Sequence, residues 1–419
     1  MNLVHSKDIY NIMRDVLKCL DPRIVNHGQR TAYILYSMLR DTNRYEMYEL
    51  AEFAMTAVFH DIGAFETNVD DETLNYEAKD CMPHSIYGYL FMLYLMPFKD
   101  KAKILLHHHT DYSIVSKMDY EYKEIIDCLN VAEKADIYYN LLGSRFDMYS
   151  FKKHEGTKYS PRALEQLFQA QKKYDIFGRI GTEEYLKELD ELFSYLIFTN
   201  EEKRGAIDGL MYCVGFRSEY TMLDVVTCEN ICAQLAIKLN LSQEDEEALH
   251  YAAILHDAGM CAVPKDIIEA PRKLTDEELI TMRKHVEILD SILRGRFDDK
   301  VVDIVYTHHE RGNGKGYPRG LSDTQMTRVQ KVLQVADTIT GLTSRRSYRE
   351  PKEKPQVIEI LKSESASGKL SSEIVRKFIN SYDDIMESVQ RENKKMLSMY
   401  EKLKENYETV RKQNGLTGG

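Results

Sequence analysis

The chain contains 419 residues, of which 43% are hydrophobic and 29% charged, and its formal net charge is −11. These proportions exclude a disordered or fibrous protein, and the acidic balance excludes a broad duplex nucleic-acid surface, which would need clustered Lys and Arg. The longest apolar-rich run, 88–98, is about half the length of a membrane span, and the seven cysteines form no paired CxxC set, so we expect a cytoplasmic protein without a membrane segment.

Along the chain, almost every long segment spaces its apolar residues three and four apart, which predicts an all-α fold. Near the middle, Thr275 and Glu278 form a capping box, and His285 falls on the apolar stripe of the helix that follows. Helical periodicity on both sides of a short linker predicts two helical domains and a terminal helix. The expected divisions are a first domain at 1–180, a helical linker at 181–204, a second domain at 205–385 and a C-terminal helix with a flexible end at 386–419.

The terminal segment carries a heptad pattern from Met386 to Val410, over about four heptads. Asn393 at one seam position would suit a two-stranded coiled coil, and hence a homodimer through this helix. An amphipathic helix folded onto its own domain explains the spacing equally well. Both alternatives stay open.

Histidines reveal an internal repeat. Two pairs of histidines are separated by 23 residues, and two His-to-Asp pairs are separated by 28. The matched pairs are His84–His107 with His285–His308, and His108–Asp136 with His309–Asp337. A His-Asp-x-Gly segment precedes each set, at 60–63 and 256–259. The chain is therefore expected to contain two homologous helical halves.

A metal site explains these residues best, because burying ionisable groups on apolar helix faces without partners costs several kcal/mol. A single histidine there would usually be a hydrogen-bonded core residue, but two matched sets make coincidence improbable. Imidazole with carboxylate suits Mn, Fe or Zn, and Asp257 could bridge two ions. The candidate ligands are His256, Asp257, His285, His308, His309 and Asp337 in the second half, and His60, Asp61, His84, His107, His108 and Asp136 in the first. His109, which this spacing aligns with Glu310, is predicted not to be a ligand.

The residues from His308 to Pro318 read HHERGNGKGYP, and Val335-Ala336-Asp337 follows them. Together with His256-Asp257, this long motif resembles the HD-GYP family, a branch of the HD phosphohydrolases that cleaves cyclic di-GMP. The resemblance covers about 207–385. The first half resembles a plainer HD domain that lacks the Gly-Tyr-Pro segment.

The resemblance implies tandem HD-domain helical bundles and a metal-dependent phosphodiesterase with two divalent ions per active site, Mn or Fe being favoured. The ions would activate a bridging water for attack on phosphorus, with His256 and Asp257 at the catalytic centre. The implied ligand sets are His256, Asp257 and Asp337 for one ion, and Asp257, His285, His308 and His309 for the other. The candidate substrate contacts are Arg311, Arg346 and Arg349 for phosphate and Tyr317 for base stacking. These arginines could equally be surface or domain-packing residues.

The sequence also departs from the family pattern. Met260 and Ala64 stand where the family usually has a Lys that reaches a substrate phosphate. Asp224 stands where many members have an upstream histidine, and its counterpart in the first half is His27; both are candidate metal ligands. Tyr220 stands where three-metal members carry a Glu, so two metals are expected.

Three functions remain in competition. The leading hypothesis is a cyclic di-GMP phosphodiesterase whose active site lies in the second half. A phosphohydrolase for cyclic GMP-AMP or another nucleotide is the second, and a non-catalytic nucleotide sensor or scaffold is the third. In the family the Gly-Tyr-Pro segment is also tied to partner recognition, and a diguanylate cyclase is a candidate partner.

Overall fold

The computed structural model describes most of the chain and shows it to be helical. The described residues are 3–66, 82–216, 219–268, 270, 272–345 and 350–413. Within these ranges there are isolated bridges but no strand, so the predicted all-α fold is confirmed. Arg346 and Arg349 lie outside the described residues, as does the side chain of Tyr220. None of the helices in these ranges has the length and apolarity needed to cross a bilayer.

Two compact units make up the chain. Unit A comprises Leu20–Gly205 and Leu403–Gly419, and unit B comprises Met1–Cys19 and Ala206–Lys402. Three helices have residues in both units: α1 (Ser6–Leu20), α11 (Asn200–Gly215) and α20 (Tyr382–Gln413). The helices of unit A are α2 (Pro22–Leu39), α3 (Met47–Val58), α4 (Met82–Tyr94), α5 (Ala102–His107), α6 (Tyr112–Val115), α7 (Lys123–Leu142), α8 (Pro161–Tyr174), α9 (Ile176–Gly181) and α10 (Tyr185–Leu192). The helices of unit B are α12 (Glu219–Leu239), α13 (Gln243–Leu255), α14 (Lys265–Ile268), α15 (Asp276–Leu293), α16 (Asp299–Tyr306), α17 (Arg328–Thr343), α18 (Lys354–Ala366) and α19 (Ser372–Asn380).

Each unit is built around one long helix near its start. In unit A, α2 packs on α3, α7 and α8, and in unit B, α12 packs on α13, α17 and α19. Asp21 caps α2, and Pro22 follows at its first position, both of which favour a helix start. Gly28 allows a close approach to α3, because a Cβ there would lie 2.1 Å from the carbonyl oxygen of Val58. These long helices each carry one predicted metal ligand, His27 on α2 and Asp224 on α12.

The N-terminal residues belong to unit B although the rest of the first half forms unit A. The carbonyl oxygen of Leu3 accepts a hydrogen bond from the backbone N–H of Asp298 at 2.8 Å. On α1, Asp15 pairs with Arg296 at 2.7 Å. The N-terminal segment thus belongs to the unit formed by the second half, and the C-terminal segment belongs to the unit formed by the first half. The predicted division into 1–180 and 205–385 does not include this exchange of chain ends.

Part of the heptad seam of α20 is buried within the chain. The buried seam residues include Val389, Met396, Tyr400 and Leu403. Within unit B, Asn393 Nδ2 donates to Thr227 Oγ1 at 3.0 Å, and the Tyr400 hydroxyl donates to the carbonyl of Tyr212 at 2.6 Å. Within unit A, the ring of Tyr407 stacks on that of Tyr87 with centroids 4.6 Å apart. Of the two alternatives for the tail, this is the arrangement of a helix folded onto its own chain.

Replacing Asn393 with Ala is expected to lower the free energy of unfolding by about 1 kcal/mol, because the Thr227 hydroxyl loses its partner amide. Urea unfolding followed by circular dichroism measures the change. Lys394→Ala is the matched control, since Lys394 is exposed, and it should shift the value by less than about 0.5 kcal/mol. An Asn393→Ala protein as stable as the wild type would contradict the role of this hydrogen bond.

Candidate metal centres

In unit B, four predicted ligands converge. Asp257, His285, His308 and His309 each offer an atom within 4.8 Å of the others. Asp257 Oδ1 lies 3.6 Å from His285 Nε2 and 4.0 Å from His308 Nε2, whereas its Oδ2 lies 3.5 Å from His256 Nε2. The two carboxylate oxygens therefore face different imidazoles, which is the arrangement needed to bridge two cations.

The ring orientation of His256 and of two histidines in the group of four is fixed by the backbone. In each, Nδ1 donates to a carbonyl three residues earlier, so Nε2 is the ring nitrogen that faces Asp257. The pairs are His256 with Ala253 at 2.8 Å, His285 with Met282 at 2.7 Å, and His308 with Val305 at 2.5 Å. Metal-binding histidines characteristically donate their second ring nitrogen in this way.

A glycine lets the His-Asp turn lie against the helix that carries the next ligand. His256 and Asp257 directly follow α13, and a 3-10 helix at Ala258–Ala262 comes next. A Cβ on Gly259 would lie 2.1 Å from the carbonyl oxygen of His285 on α15. The Gly of the His-Asp-x-Gly segment is therefore required for the contact that positions His285.

Two further predicted ligands of unit B are not members of this group of four. Asp337, on α17, places Oδ2 3.6 Å from Nδ1 of His309. Asp224 lies on α12. In the part of the chain that the structure describes, the group of four includes neither of these carboxylates, nor His256.

Unit A contains two adjacent groups of candidate ligands. The groups are Asp61, His84, His108 and His109, and His27, His60 and Glu133. His84 Nε2 lies 2.9 Å from His109 Nε2 and 3.3 Å from His108 Nε2. Asp61 Oδ1 lies 3.3 Å from His84 Nε2 and 3.5 Å from His60 Nε2, so it touches both groups.

His108 and His109 occupy the places that His308 and His309 have in unit B. The ring centroids of His108 and His109 are 3.9 Å apart at 45°, against 4.0 Å and 44° for the unit B pair. The structure therefore does not bring His107 into the cluster; its Nδ1 lies 3.3 Å from Thr110 Oγ1. His109, which the 23-residue spacing set aside, is brought in.

Glu133, rather than Asp136, stands in the place of Asp337. Glu133 Oε2 lies 3.2 Å from His109 Nδ1, which parallels the Asp337–His309 contact. Asp136 instead accepts from His27 Nδ1 at 2.7 Å and from Arg30 Nε at 2.7 Å. The equal 28-residue spacings misled the prediction, because the unit B interval contains the Gly-Tyr-Pro loop and the unit A interval does not. Matching Val131-Ala132-Glu133 to Val335-Ala336-Asp337 without gaps would have aligned Glu133 with Asp337.

Comparison of the sequence with known proteins shows which family the chain resembles. A model described as "HD domain" matches residues 201–374. The "3'3'-cGAMP-specific phosphodiesterase 1" of Vibrio cholerae is 23% identical over 84% of this chain and 85% of its own length. The "Cyclic di-GMP phosphodiesterase" of Thermotoga maritima is 34% identical over 39% of this chain and 45% of its own length. The second half of the chain, where the HD-domain match and the HHERGNGKGYP motif lie, belongs to the HD-GYP family.

A solved structure of a cyclic GMP-AMP specific phosphodiesterase from V. cholerae shares the fold, with a TM-score of 0.57. It covers 90% of this chain and 97% of the other at 14% identity. This likeness confirms the predicted helical fold, and the sequence matches given above confirm the predicted family. The HD-GYP domain lies in unit B, since all but the first five of the matched residues 201–374 belong to that unit.

Residues around the Gly-Tyr-Pro segment close one side of the HD-GYP site. The Tyr317 ring lies 4.8 Å from the ring of His309, and the Arg283 guanidinium lies 4.9 Å from the Tyr317 ring centroid. Arg311 Nη1 donates to the carbonyl of Glu310 at 3.2 Å. Sequence reasoning missed Arg283, although a basic residue within one turn of a predicted ligand was a usable signal.

The conformation of this segment depends on Glu310, which sequence reasoning also passed over. The Glu310 carboxylate is buried and accepts from the backbone N–H of Arg319 at 2.6 Å and of Leu321 at 2.8 Å. Gly316 packs closely against the backbone of Glu310 and Arg311, since a Cβ there would lie 2.2 Å from the nitrogen of Arg311. The HD-GYP loop is thus held in one conformation beside the cluster.

Glu310→Gln is expected to destabilise the protein by about 1–3 kcal/mol, because an amide NH₂ would face a buried backbone N–H and leave it without an acceptor. The free energy of urea unfolding checks this. Glu287→Gln, at an exposed position, is the control and should change stability by less than about 0.5 kcal/mol. Equal stabilities for the two variants would show that Glu310 does not anchor the loop.

Burial and charge set the protonation of the HD-GYP site. Burial, reinforced by His256, lowers the pKa of His308 to about 3, so this imidazole is neutral at pH 7, as a metal ligand must be. Burial also acts to lower the pKa of His256, but Cys228, Asp257 and Asp337 outweigh it and raise the pKa to about 9. A divalent ion bound by His256 would therefore release a proton.

The two centres differ in access to solvent. The side chain of Asp257 is 37% exposed, whereas that of Asp61 is 10% exposed. The HD-GYP carboxylate is therefore the more exposed of the two, whereas the unit A carboxylate lies among its own histidines.

Proposed function

We propose that the HD-GYP domain of unit B is a metal-dependent phosphodiesterase that hydrolyses a cyclic dinucleotide, with cyclic di-GMP as the leading substrate. The observation that carries this proposal is an exposed Asp257 among His285, His308 and His309, beside the Tyr317 loop. The names of the Thermotoga and Vibrio relatives support the reaction class.

The donor set fits divalent ions, because imidazole and carboxylate groups converge with Nε2 lone pairs directed inward. We assign two ions, with Mn or Fe favoured. His256, Asp257 and Asp337, with Asp224 as an additional candidate, would hold one ion. Asp257, His285, His308 and His309 would hold the other. Bound there, the ions would supply Lewis acidity and offset phosphodiester charge.

The protein residues would bind and orient the dinucleotide. Tyr317 offers a half-buried aromatic face for a nucleobase. Arg283, exposed above that ring, offers a cation for a phosphate, and Arg311 is a second candidate. Arg346 and Arg349 remain predictions from the sequence. Met260 provides no ammonium group after the His-Asp-x-Gly turn, so phosphate binding would depend on the arginines and the metals.

Incubation of the full chain with Mn²⁺ or Fe²⁺ and cyclic di-GMP tests the proposal. We expect linearised dinucleotide by anion-exchange chromatography, and loss of the product when the metal is removed with a chelator. If the metal-loaded chain is inert but binds the dinucleotide tightly, the sensor or scaffold alternative replaces the enzyme.

A second substrate is favoured by one observation. The relative that aligns with 84% of this chain is named for 3'3'-cGAMP, whereas the cyclic di-GMP relative aligns with 39%. The same assay with 3'3'-cGAMP and a nucleotide monophosphate ranks the substrates. A higher kcat/KM for 3'3'-cGAMP would replace cyclic di-GMP as the substrate and leave the reaction unchanged.

A homodimer through α20 remains a prediction from the sequence, and the buried part of that helix's seam packs within the chain. A diguanylate cyclase partner and a cytoplasmic location remain predictions from the sequence.

A further inference from the structure

A buried side-chain amide ties the turn after the histidine pair of unit B to the helix that carries Asp337. Gln334 lies on α17, one turn before Asp337, and is fully buried. Its Nε2 donates a hydrogen bond to the backbone carbonyl of Glu310, the residue that directly follows His309. His309 Nδ1 in turn lies 3.6 Å from Asp337 Oδ2. The amide therefore joins the same two segments that bring these two candidate ligands together.

The same tether recurs in unit A. Asn130 stands three residues before Glu133 on α7 and is also buried. Its Nδ2 donates over 3.5 Å to the carbonyl of Thr110, which directly follows the histidines of that unit. In both amides the side-chain oxygen accepts no hydrogen bond from the part of the chain that the structure describes. The contact that the two units share is therefore made by the NH₂ group.

Stability alone does not explain a buried amide at Gln334. An apolar side chain of similar length would give up one hydrogen bond, and it would not bury an oxygen to which no group in the described ranges donates. The Glu310 carbonyl would also keep a donor, because Arg311 Nη1 donates to it at 3.2 Å. What the amide adds is a fixed distance between α17 and the turn after His309.

Glu310 transmits this fixed distance to the substrate side of the centre. Its carboxylate accepts from the backbone N–H groups of Arg319 and Leu321 in the Gly-Tyr-Pro loop. Its carbonyl accepts from Gln334 and from Arg311, the candidate phosphate contact. The loop, the arginine and α17 therefore meet at this one residue.

We propose that Gln334 is a positioning residue for hydrolysis in the HD-GYP domain. Its amide sets the place of His309 relative to Asp337. Through Glu310 it also sets the place of the Gly-Tyr-Pro loop and of Arg311. This role rests on the phosphodiesterase function proposed above. Loss of a support behind metal ligands typically costs about 10–100-fold in metal affinity or activity.

Gln334→Met tests the role, because it keeps the length of the side chain and removes the amide. In the full chain treated with a chelator, hydrogen exchange of the backbone amides at 311–321, followed by mass spectrometry, should become at least about tenfold faster. The reason is that Glu310 is no longer held to α17. Tm should stay within about 3 °C of the wild type, since one hydrogen bond is lost. With Mn²⁺, kcat/KM for the cyclic dinucleotide should fall about 10–100-fold.

Gln330→Met is the matched control on the same helix. Gln330 Oε1 accepts from the backbone N–H of Thr327 at 2.7 Å, and its Nε2 donates to the carbonyl of Asp303 at 3.2 Å. Because it caps the start of α17, its loss should lower Tm. Exchange at 311–321 and kcat/KM should stay within about twofold of the wild type. The two variants are thus expected to show opposite patterns.

Gln334→Asn places in unit B the shorter amide that unit A has at Asn130, and it covers the case in which Gln334→Met does not fold. It should retain more of the exchange protection and of kcat/KM than Gln334→Met. Wild-type exchange in Gln334→Met, or faster exchange with wild-type kcat/KM, overturns the positioning role, as does an equal effect of Gln330→Met. If the wild-type chain is inert toward cyclic dinucleotides, the phosphodiesterase proposal fails, whereas the exchange rates still decide whether the amide holds the loop.

Discussion

Asp257→Asn is expected to lower kcat/KM for the cyclic dinucleotide by at least about 10³-fold, equivalent to about 4 kcal/mol of transition-state stabilisation. The substitution preserves the size of the side chain but removes its negative charge. Asp257 Oδ1 faces His285 and His308 while its Oδ2 faces His256, so this carboxylate lies between the proposed ligands of both cation positions. Losing it should therefore affect both cation positions.

Initial rates at saturating metal, together with metal content per chain, measure this effect. Asp266→Asn is the control, since Asp266 is an exposed carboxylate nine residues further along the chain, and its rates should match the wild type within about twofold. Turnover of the Asp257→Asn protein within tenfold of the wild type would mean that the reacting phosphodiester does not bind at this centre.

Gly259→Ala is expected to lower kcat/KM by about 10²-fold, because misplacing a reacting group by about 1 Å costs this much. The new Cβ would lie 2.1 Å from the oxygen, 2.9 Å from the carbon and 3.1 Å from the Cα of His285. All three are backbone atoms, so α15 would have to move, and His285 with it. Metal affinity should fall for the same reason.

Gly341→Ala is the matched control. A Cβ at Gly341, on α17, meets no atom within 4 Å, and Ala in a helix interior is favoured over Gly by about 0.5–1 kcal/mol. This variant should keep its activity and gain slightly in stability. If Gly259→Ala and Gly341→Ala had equal activities and metal affinities, the close approach at the His-Asp turn would not be needed to position His285.

Helical periodicity and the HHERGNGKGYP run were sufficient to predict the all-α fold and the HD-GYP family. Both signals are local, since each depends on residues within a few turns of one another. Asp257, His308 and His309 also lie in short motifs, and His285 lies on the apolar stripe of a helix, which explains why sequence reasoning could select these four residues before the geometry was known.

The unit A ligands show where sequence reasoning reached its limit. Two adjacent pairs can be taken from the three consecutive histidines at 107–109. A spacing of 23 selected His107 and His108, whereas the cluster contains His108 and His109. Which two of three adjacent side chains point inward depends on how α5 ends and where the next turn begins. Glu133 was missed for a related reason: a loop of different length separates the ligands in the two units, so equal spacing did not mean equal position.

The exchange of short segments at the chain ends bears on how the protein folds during synthesis. Unit A begins at Leu20 but also includes Leu403 and the residues after it, where Tyr407 stacks on Tyr87. The ring of Tyr87 therefore meets its partner only after more than 300 further residues have been made, and contacts so distant in sequence form late. A nascent chain that has left the ribosome only to the end of the first half would expose the surface that α20 covers. Folding of the first-made unit is expected to finish after translation, when the last helix becomes available.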